Sequence, residues 1–209
     1  MGLTTGVPTI VPVGPGSRPA QISRLGPLLE KVVVAVAEAV DATVVGDGSP
    51  GGLAAALGQV RRRKKAGFPM VGVASDGVGT DDLEVEHSHF VLVPADHWAG
   101  LARWVSAVAT AAAGGNRSVA VVVAGGPPAW EAIDAHARDG RLVIAVARTG
   151  GVADQLAAAC AGRPCDARAR ALAGTGQIHA VDPAVGATHV AELLRSALSR
   201  PDAIGPAPQ

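Results

Sequence analysis

The residues of this chain with the widest chemical reach are its glycines, and they come in clusters. Gly14-Pro15-Gly16-Ser17, Gly46-Asp47-Gly48-Ser49-Pro50-Gly51-Gly52, Asp76-Gly77, Gly125-Gly126 and Thr149-Gly150-Gly151 each follow a short apolar run. Glycine permits positive φ and close backbone approach, and a helix opening behind it offers N–H groups with no intrahelical partner. Together these suit an anion such as a diphosphate. A single strand-to-helix turn needs glycine for its own geometry and says little, whereas five such turns point to a ligand-binding edge. Arg148, just before Thr149, and Arg18 stand where a guanidinium could neutralise phosphate. Asp47 and Asp76 could accept from ribose hydroxyls or cap the turns they stand in, and the sequence leaves both readings open.

Other chemistries are poorly served. Gly46, Gly48 and Gly51 match Gly-x-Gly-x-x-Gly, but Pro50 is unusual there and no acidic residue follows at a strand end about twenty positions on. No lysine follows Gly51 or Gly52, so there is no P-loop. The only lysines, Lys31, Lys64 and Lys65, fall inside expected helices, which argues against a pyridoxal Schiff base as well. His87 and His89 would share a face of an extended strand, yet Glu86 alone stands near as a third ligand, on the opposite face. Cys160, Cys165 and His179 match no common zinc spacing. No metal site and no required cofactor are expected. The run Arg61 to Lys65 reads as the cationic end of a helix. Trp98 and Trp104 read as packing residues; Trp130, beside Gly125-Gly126, reads as core or as a stacking surface for a base.

The elements that must position these groups alternate. Continuous apolar runs at Val7–Val13, Ala42–Val45, Met70–Ala74, Phe90–Val93, Val119–Ala124, Leu142–Ala147 and Ile178–Val181 predict strands buried on both faces. Between them, Ser23–Val40, Leu53–Lys65, Trp98–Ala113, Pro128–Arg138, Val152–Ala161 and Pro183–Ser199 predict helices, while Gly162–Ala173 is of uncertain structure. The expected fold is α/β: a Rossmann-like, doubly wound, mainly parallel sheet of about seven strands with helices on both faces. One domain is expected over residues 1–200, with a tail over 201–209. In such sheets ligands bind outside the carboxyl ends of the strands, where the glycines fall.

Composition narrows the function classes. Among 209 residues, 18 Lys plus Arg balance 18 Asp plus Glu, which removes a bulk electrostatic drive toward nucleic acid or anionic membrane. Aromatic residues make up 2%, with no Tyr, so base-stacking platforms for single strands are not expected. A 48% apolar share with 17% charged excludes a disordered chain. No apolar run approaches the ~20 residues of a membrane span, and no signal peptide is recognisable; a cytoplasmic protein is expected.

One group of known proteins matches these motifs. Glu86-His87-Ser88-His89-Phe90-Val91-Leu92-Val93-Pro94, then Trp98, then Val121-Val122-Val123-Ala124-Gly125-Gly126 with Ala129-Trp130-Glu131, then Val143-Ile144-Ala145-Val146 and Gly150-Gly151-Val152-Ala153-Asp154, resembles the LSDAT family. That is the bacterial relative of the ligand-sensing domain of melastatin-type channels, within the SLOG superfamily. The resemblance is best over residues 42–160. It implies a Rossmann-like fold that binds a nucleotide-derived molecule such as ADP-ribose or an NAD relative, the expected partners being that ligand and a second copy in a homodimer. It also implies that the backbone of Gly46 to Gly52 and of Gly125-Gly126 cradles phosphates or ribose, at the edge where the glycine turns also place Gly14. Thr149, Gly150 and Gly151 would contact the ligand from the next strand end, with Asp76, Gly77, Pro94 and Trp130 nearby.

The same superfamily holds phosphoribohydrolases often labelled lysine decarboxylases, with the motif Pro-Gly-Gly-x-Gly-Thr-x-x-Glu. Here the aligned run is Ala124-Gly125-Gly126-Pro127-Pro128-Ala129-Trp130-Glu131-Ala132. Pro128 and Ala129 replace Gly-Thr, and Ala132 stands where the acid belongs. Glu131 is one position off, about 100° around a helix. The expectation is binding or sensing without catalysis. The alternative is N-glycosidic hydrolysis of a nucleoside monophosphate by Glu131 or Asp154.

Overall fold

The computed structural model describes residues 3–16, 19–95 and 100–199, the side chains of 19–21 excepted. Ser17, Arg18, Trp98 and the expected tail from Pro201 to Gln209 lie outside the described residues. The seven apolar runs form seven strands: β1 (Thr9–Val13), β2 (Thr43–Asp47), β3 (Met70–Ser75), β4 (His89–Val93), β5 (Ser118–Val123), β6 (Leu142–Val146) and β7 (Ile178–Val181). Every neighbouring pair is parallel, in the order β4-β3-β2-β1-β5-β6-β7. The inner strands are apolar at nearly every position because helices cover both of their faces.

The chain lays β1 to β4 outward toward one edge, then returns to place β5 on the free side of β1, in register from Thr9↔Ser118 to Val13↔Val122. The connections leaving β1 and β5 therefore diverge to opposite faces, and a crevice forms between them. On one face lie α1 (Pro19–Leu28), a π-helical segment (Leu29–Val34), α2 (Ala35–Ala39), α3 (Gly52–Lys64) and α8 (Ala187–Ser199), sharing a core around Ile10, Leu29, Leu57 and Leu194. On the other lie α4 (Leu101–Ala113), α5 (Pro128–Arg138), α6 (Gly151–Cys160) and α7 (Ala167–Ala173), around Val11, Val105, Ile133 and Leu156.

Several boundaries differ from the sequence expectation for local reasons. The helix expected over Ser23–Val40 begins at Pro19 and passes through the π segment. The uncertain stretch after Gly162 contains α7, whose N-cap Asp166 accepts from the Arg168 backbone N–H. Gly186, at φ 101°, divides the last expected helix into a 3-10 turn (Pro183–Val185) and α8. The basic run does end α3: Arg62 pairs with Glu86, Arg63 and Lys64 with Glu30, and Arg61 donates to the Phe68 carbonyl. No helix among the described residues is long and apolar enough to cross a membrane.

Candidate functional site

A cavity of about 580 Å³ opens at the carboxyl ends of β1, β2 and β5, within the range of roughly 300–1,000 Å³ typical of small-molecule sites. Its rim is the backbone of three turns: Gly14 to Gly16 after β1, Gly46 to Gly52 around the end of β2, and Gly126-Pro127 after β5. It continues between α4 and α5 over an apolar floor that includes Val11, Leu101, Val105, Ala129 and Ala132. Arg168 reaches it from α7 and Glu131 from α5. The Arg168 guanidinium has no ion-pair partner among the described residues, and its side chain is exposed.

The turn after β2 is held by groups on the sheet side. Asp47 Oδ1 accepts from the Ser49 backbone N–H at 3.2 Å and from the Ser49 hydroxyl, so Asp47 caps its own turn. Glu84, a buried carboxylate from the β3–β4 connection, accepts from the Gly51 N–H at 3.0 Å through Oε2. That places a fixed negative charge at the amino-terminus of α3, where the helix dipole favours one. Gly51 and Gly52 both adopt positive φ, +85° and +65°, which lets the chain turn abruptly from β2 into α3. Gly48 belongs to the sheet instead: a Cβ there would lie 3.1 Å from the Phe90 ring.

The two turns on the far side of β1 differ from one another. After β5, Pro127 and Pro128 carry no N–H, while Ala129 and Trp130 donate to Gly126 and Pro127 carbonyls. After β6, Val152 donates to the Gly125 carbonyl and Ala153 to the Ala124 carbonyl, so the start of α6 is docked on the neighbouring turn. Thr149 Oγ accepts from the Ala124 N–H at 2.7 Å and donates to the Val146 carbonyl at 2.6 Å. A Cβ on Gly151 would stand 2.1 Å from the Gly125 oxygen. These contacts use the donors that an anion would need.

Of the predicted ligand-binding residues, Gly14, Gly46, Asp47, Ser49, Gly51, Gly52 and Gly126 line the cavity; of the weak catalytic candidates, Glu131 does. Gly48, Gly125, Thr149, Gly150 and Gly151 are not among its lining residues; Gly48 packs on Phe90, and Gly125, Thr149 and Gly151 are engaged in the contacts between the β5 and β6 turns. Asp76, Gly77 and Pro94 follow β3 and β4, two and three strands from β1. Arg148 pairs with Asp182 at 2.8 Å, and Trp130 packs half-buried into the core beneath α5. Asp154 lies on the first turn of α6, outside the cavity lining. His87 precedes β4, buried against Phe90, and no cluster of metal-binding side chains occurs among the described residues.

Sequence reading missed Arg168, Glu84 and His136. His136 is fully buried on the last turn of α5 and lines the cavity. Arg141, 5% exposed, donates from Nη1 to His136 Nδ1 and to Ser106 Oγ, both at 2.6 Å. Its Nη2 donates to the Ser106 carbonyl and Thr110 Oγ1, and its Nε to the Ser118 hydroxyl. The Ser106 hydroxyl donates to Asp139 Oδ2 at 2.5 Å. Burial, reinforced by the Arg141 charge, pushes the His136 pKa down to about 3.

The family described as SLOG in TRPM, prokaryote, matches residues 7–192. The chain belongs to that family. Among solved structures, TM1055 is 21% identical with a TM-score of 0.57, the match covering 83% of this chain and 91% of TM1055. The molybdenum cofactor carrier protein of Chlamydomonas reinhardtii is 14% identical with a TM-score of 0.58, over 91% of this chain and 99% of the other. The molybdenum cofactor binding protein of Rippkaea orientalis is 13% identical with a TM-score of 0.60, over 91% and 96%. These three share the fold of this SLOG protein. No curated protein matches its sequence.

Proposed function

We propose that this SLOG protein binds a nucleotide-derived small molecule, ADP-ribose, NAD or a relative, in the switch-point cavity and acts as a sensor without catalysis. The observation that carries the reading is the cavity itself: glycine turns at its rim, the Arg168 guanidinium, unpaired among the described residues, and an apolar floor. With the Ser49 and Gly51 N–H groups taken by Asp47 and Glu84, the turn after β1 and the start of α3 are the parts of the rim that suit phosphate oxygens; Arg168 suits their charge, and the floor suits a ring. Two neighbours in fold are named for the molybdenum cofactor, so that molecule belongs among the probes. Thermal unfolding with ADP-ribose, NAD, AMP, cyclic dinucleotides and molybdenum cofactor tests the reading. A ligand at 100 times its Kd stabilises by about 2.7 kcal/mol, roughly 5–10 °C for a chain of this size. Unfolding curves that coincide across the panel would sink it.

Glu131 in the cavity lining supports a second reading, hydrolysis of the N-glycosidic bond of a nucleoside monophosphate. Release of free adenine from AMP, abolished in Glu131→Gln, would establish that activity; AMP recovered intact after long incubation would dismiss it.

A further inference from the structure

We propose that the cavity floor between α4 and α5 receives a fused heteroaromatic ring, with His136 Nε2–H donating to a ring nitrogen or carbonyl oxygen of that ring. This rests on the binding reading above and gives the bound molecule a direction. Its ring points inward to His136, and its anionic end points outward to the glycine turns.

The tautomer follows from the neighbours of the imidazole. A guanidinium has donors only, so the Arg141 Nη1–H at 2.6 Å requires Nδ1 of His136 to accept. Ser106 Oγ, 3.0 Å from the same nitrogen, has its proton directed to Asp139. The single proton of the neutral ring is therefore on Nε2. That nitrogen is buried with no hydrogen-bond partner among the described residues, a condition native structures rarely leave without a reason. Lowering of the pKa by burial keeps the ring neutral, so the group is a donor of fixed direction and no net charge.

Ala129 and Ala132 precede His136 by seven and four residues, on one face of α5, and Leu101 and Val105 oppose them from α4. Small side chains stand on one side and branched apolar ones on the other, so the contacts these walls offer are apolar. One donor on an apolar floor discriminates against rings that present no acceptor there.

Histidine-selective 15N spectra of the full chain at neutral pH, with adenine, hypoxanthine and AMP as probes, test the inference beside thermal unfolding. His136 is expected as the Nε2-protonated neutral tautomer, and its Nε2–H signal is expected to move on addition of at least one probe. His136→Phe is expected to weaken that probe about tenfold, whereas His136→Gln, which keeps an N–H near the same place, retains most of the affinity. An Nδ1-protonated ring overturns the inference. So does an Nε2–H signal left unmoved while AMP or ADP-ribose raises the Tm, an outcome that leaves the binding reading standing. A signal moved by free bases, with no nucleotide raising the Tm, keeps the ring site and removes the phosphate reading. Silence in both measurements removes both. The spectra use the unaltered protein, so the test holds even where a variant folds poorly.

Discussion

Arg168 and Arg148 look equivalent in the sequence, each near a turn, yet their surroundings separate them. Arg148 pairs with Asp182 at 2.8 Å and is not among the residues that line the cavity. Arg168 lines the cavity with its guanidinium unpaired among the described residues. Arg168→Ala should therefore weaken a phosphate-bearing probe about tenfold, ~1.4 kcal/mol, and reduce the salt dependence of its binding. Arg148→Ala should leave affinity unchanged. Titration calorimetry at low and high salt reads both, and equal losses from the two variants would contradict the assignment. Neither substitution removes buried surface, so unfolding of the free protein should shift by less than about 0.5 kcal/mol.

At the scale of elements, the turns divide into those that present backbone to the cavity and those that hold the sheet edge together. Gly151 is of the second kind, with φ +57° and no room for a Cβ beside the Gly125 oxygen. Gly151→Ala should cost about 3 kcal/mol or more in urea unfolding, from strain and the displaced α6. Glu84 shapes the first kind. Glu84→Ala leaves the Gly51 N–H without its acceptor and should destabilise by ~1–2 kcal/mol; Glu84→Gln should recover most of that. The strands were legible in the sequence because each is a continuous Val/Ile/Ala run between turn residues. The α7 helix was not, because an Arg/Ala segment carries no apolar stripe wide enough to distinguish helix from loop. The glycines marked the carboxyl edge at which the cavity opens but could not say which turns face it. Thr149 to Gly151 and Gly125 carry the same residue types as the cavity turns, and only their packing shows that the Val152 and Ala153 N–H groups behind them are taken by the Gly125 and Ala124 carbonyls. His136 and Arg168 stand far along the chain from Gly14 and Gly46, so tertiary folding alone brings them together.

At the scale of the molecule, burying neutral histidines in a balanced-charge protein makes its stability depend on pH in a defined direction. Both His87 and His136 have pKa values lowered chiefly by burial, that of His136 to about 3. In the unfolded chain each returns to its ordinary value near 6.5. Above that value both states are neutral and the two groups contribute no pH dependence. As pH falls below it, the unfolded state takes up protons that the native state refuses. Stability then declines by up to about 1.4 kcal/mol per pH unit for each such histidine. For His136 the decline continues to about pH 3, where the native ring also protonates. Glu30 and Asp182, whose values are lowered by Lys64 and Arg63 and by the Ala184 N–H respectively, act at lower pH. Their stabilisation is present above the unfolded carboxylate values and is lost as pH falls toward the folded ones. The interval from about pH 6.5 to 4.5 therefore isolates the histidines. Chemical unfolding across that interval should show the decline, and His136→Phe should make it shallower because one of the two rings no longer takes a proton. A slope unchanged by that substitution would mean that the native ring is charged, and with it that Arg141 does not lie against Nδ1.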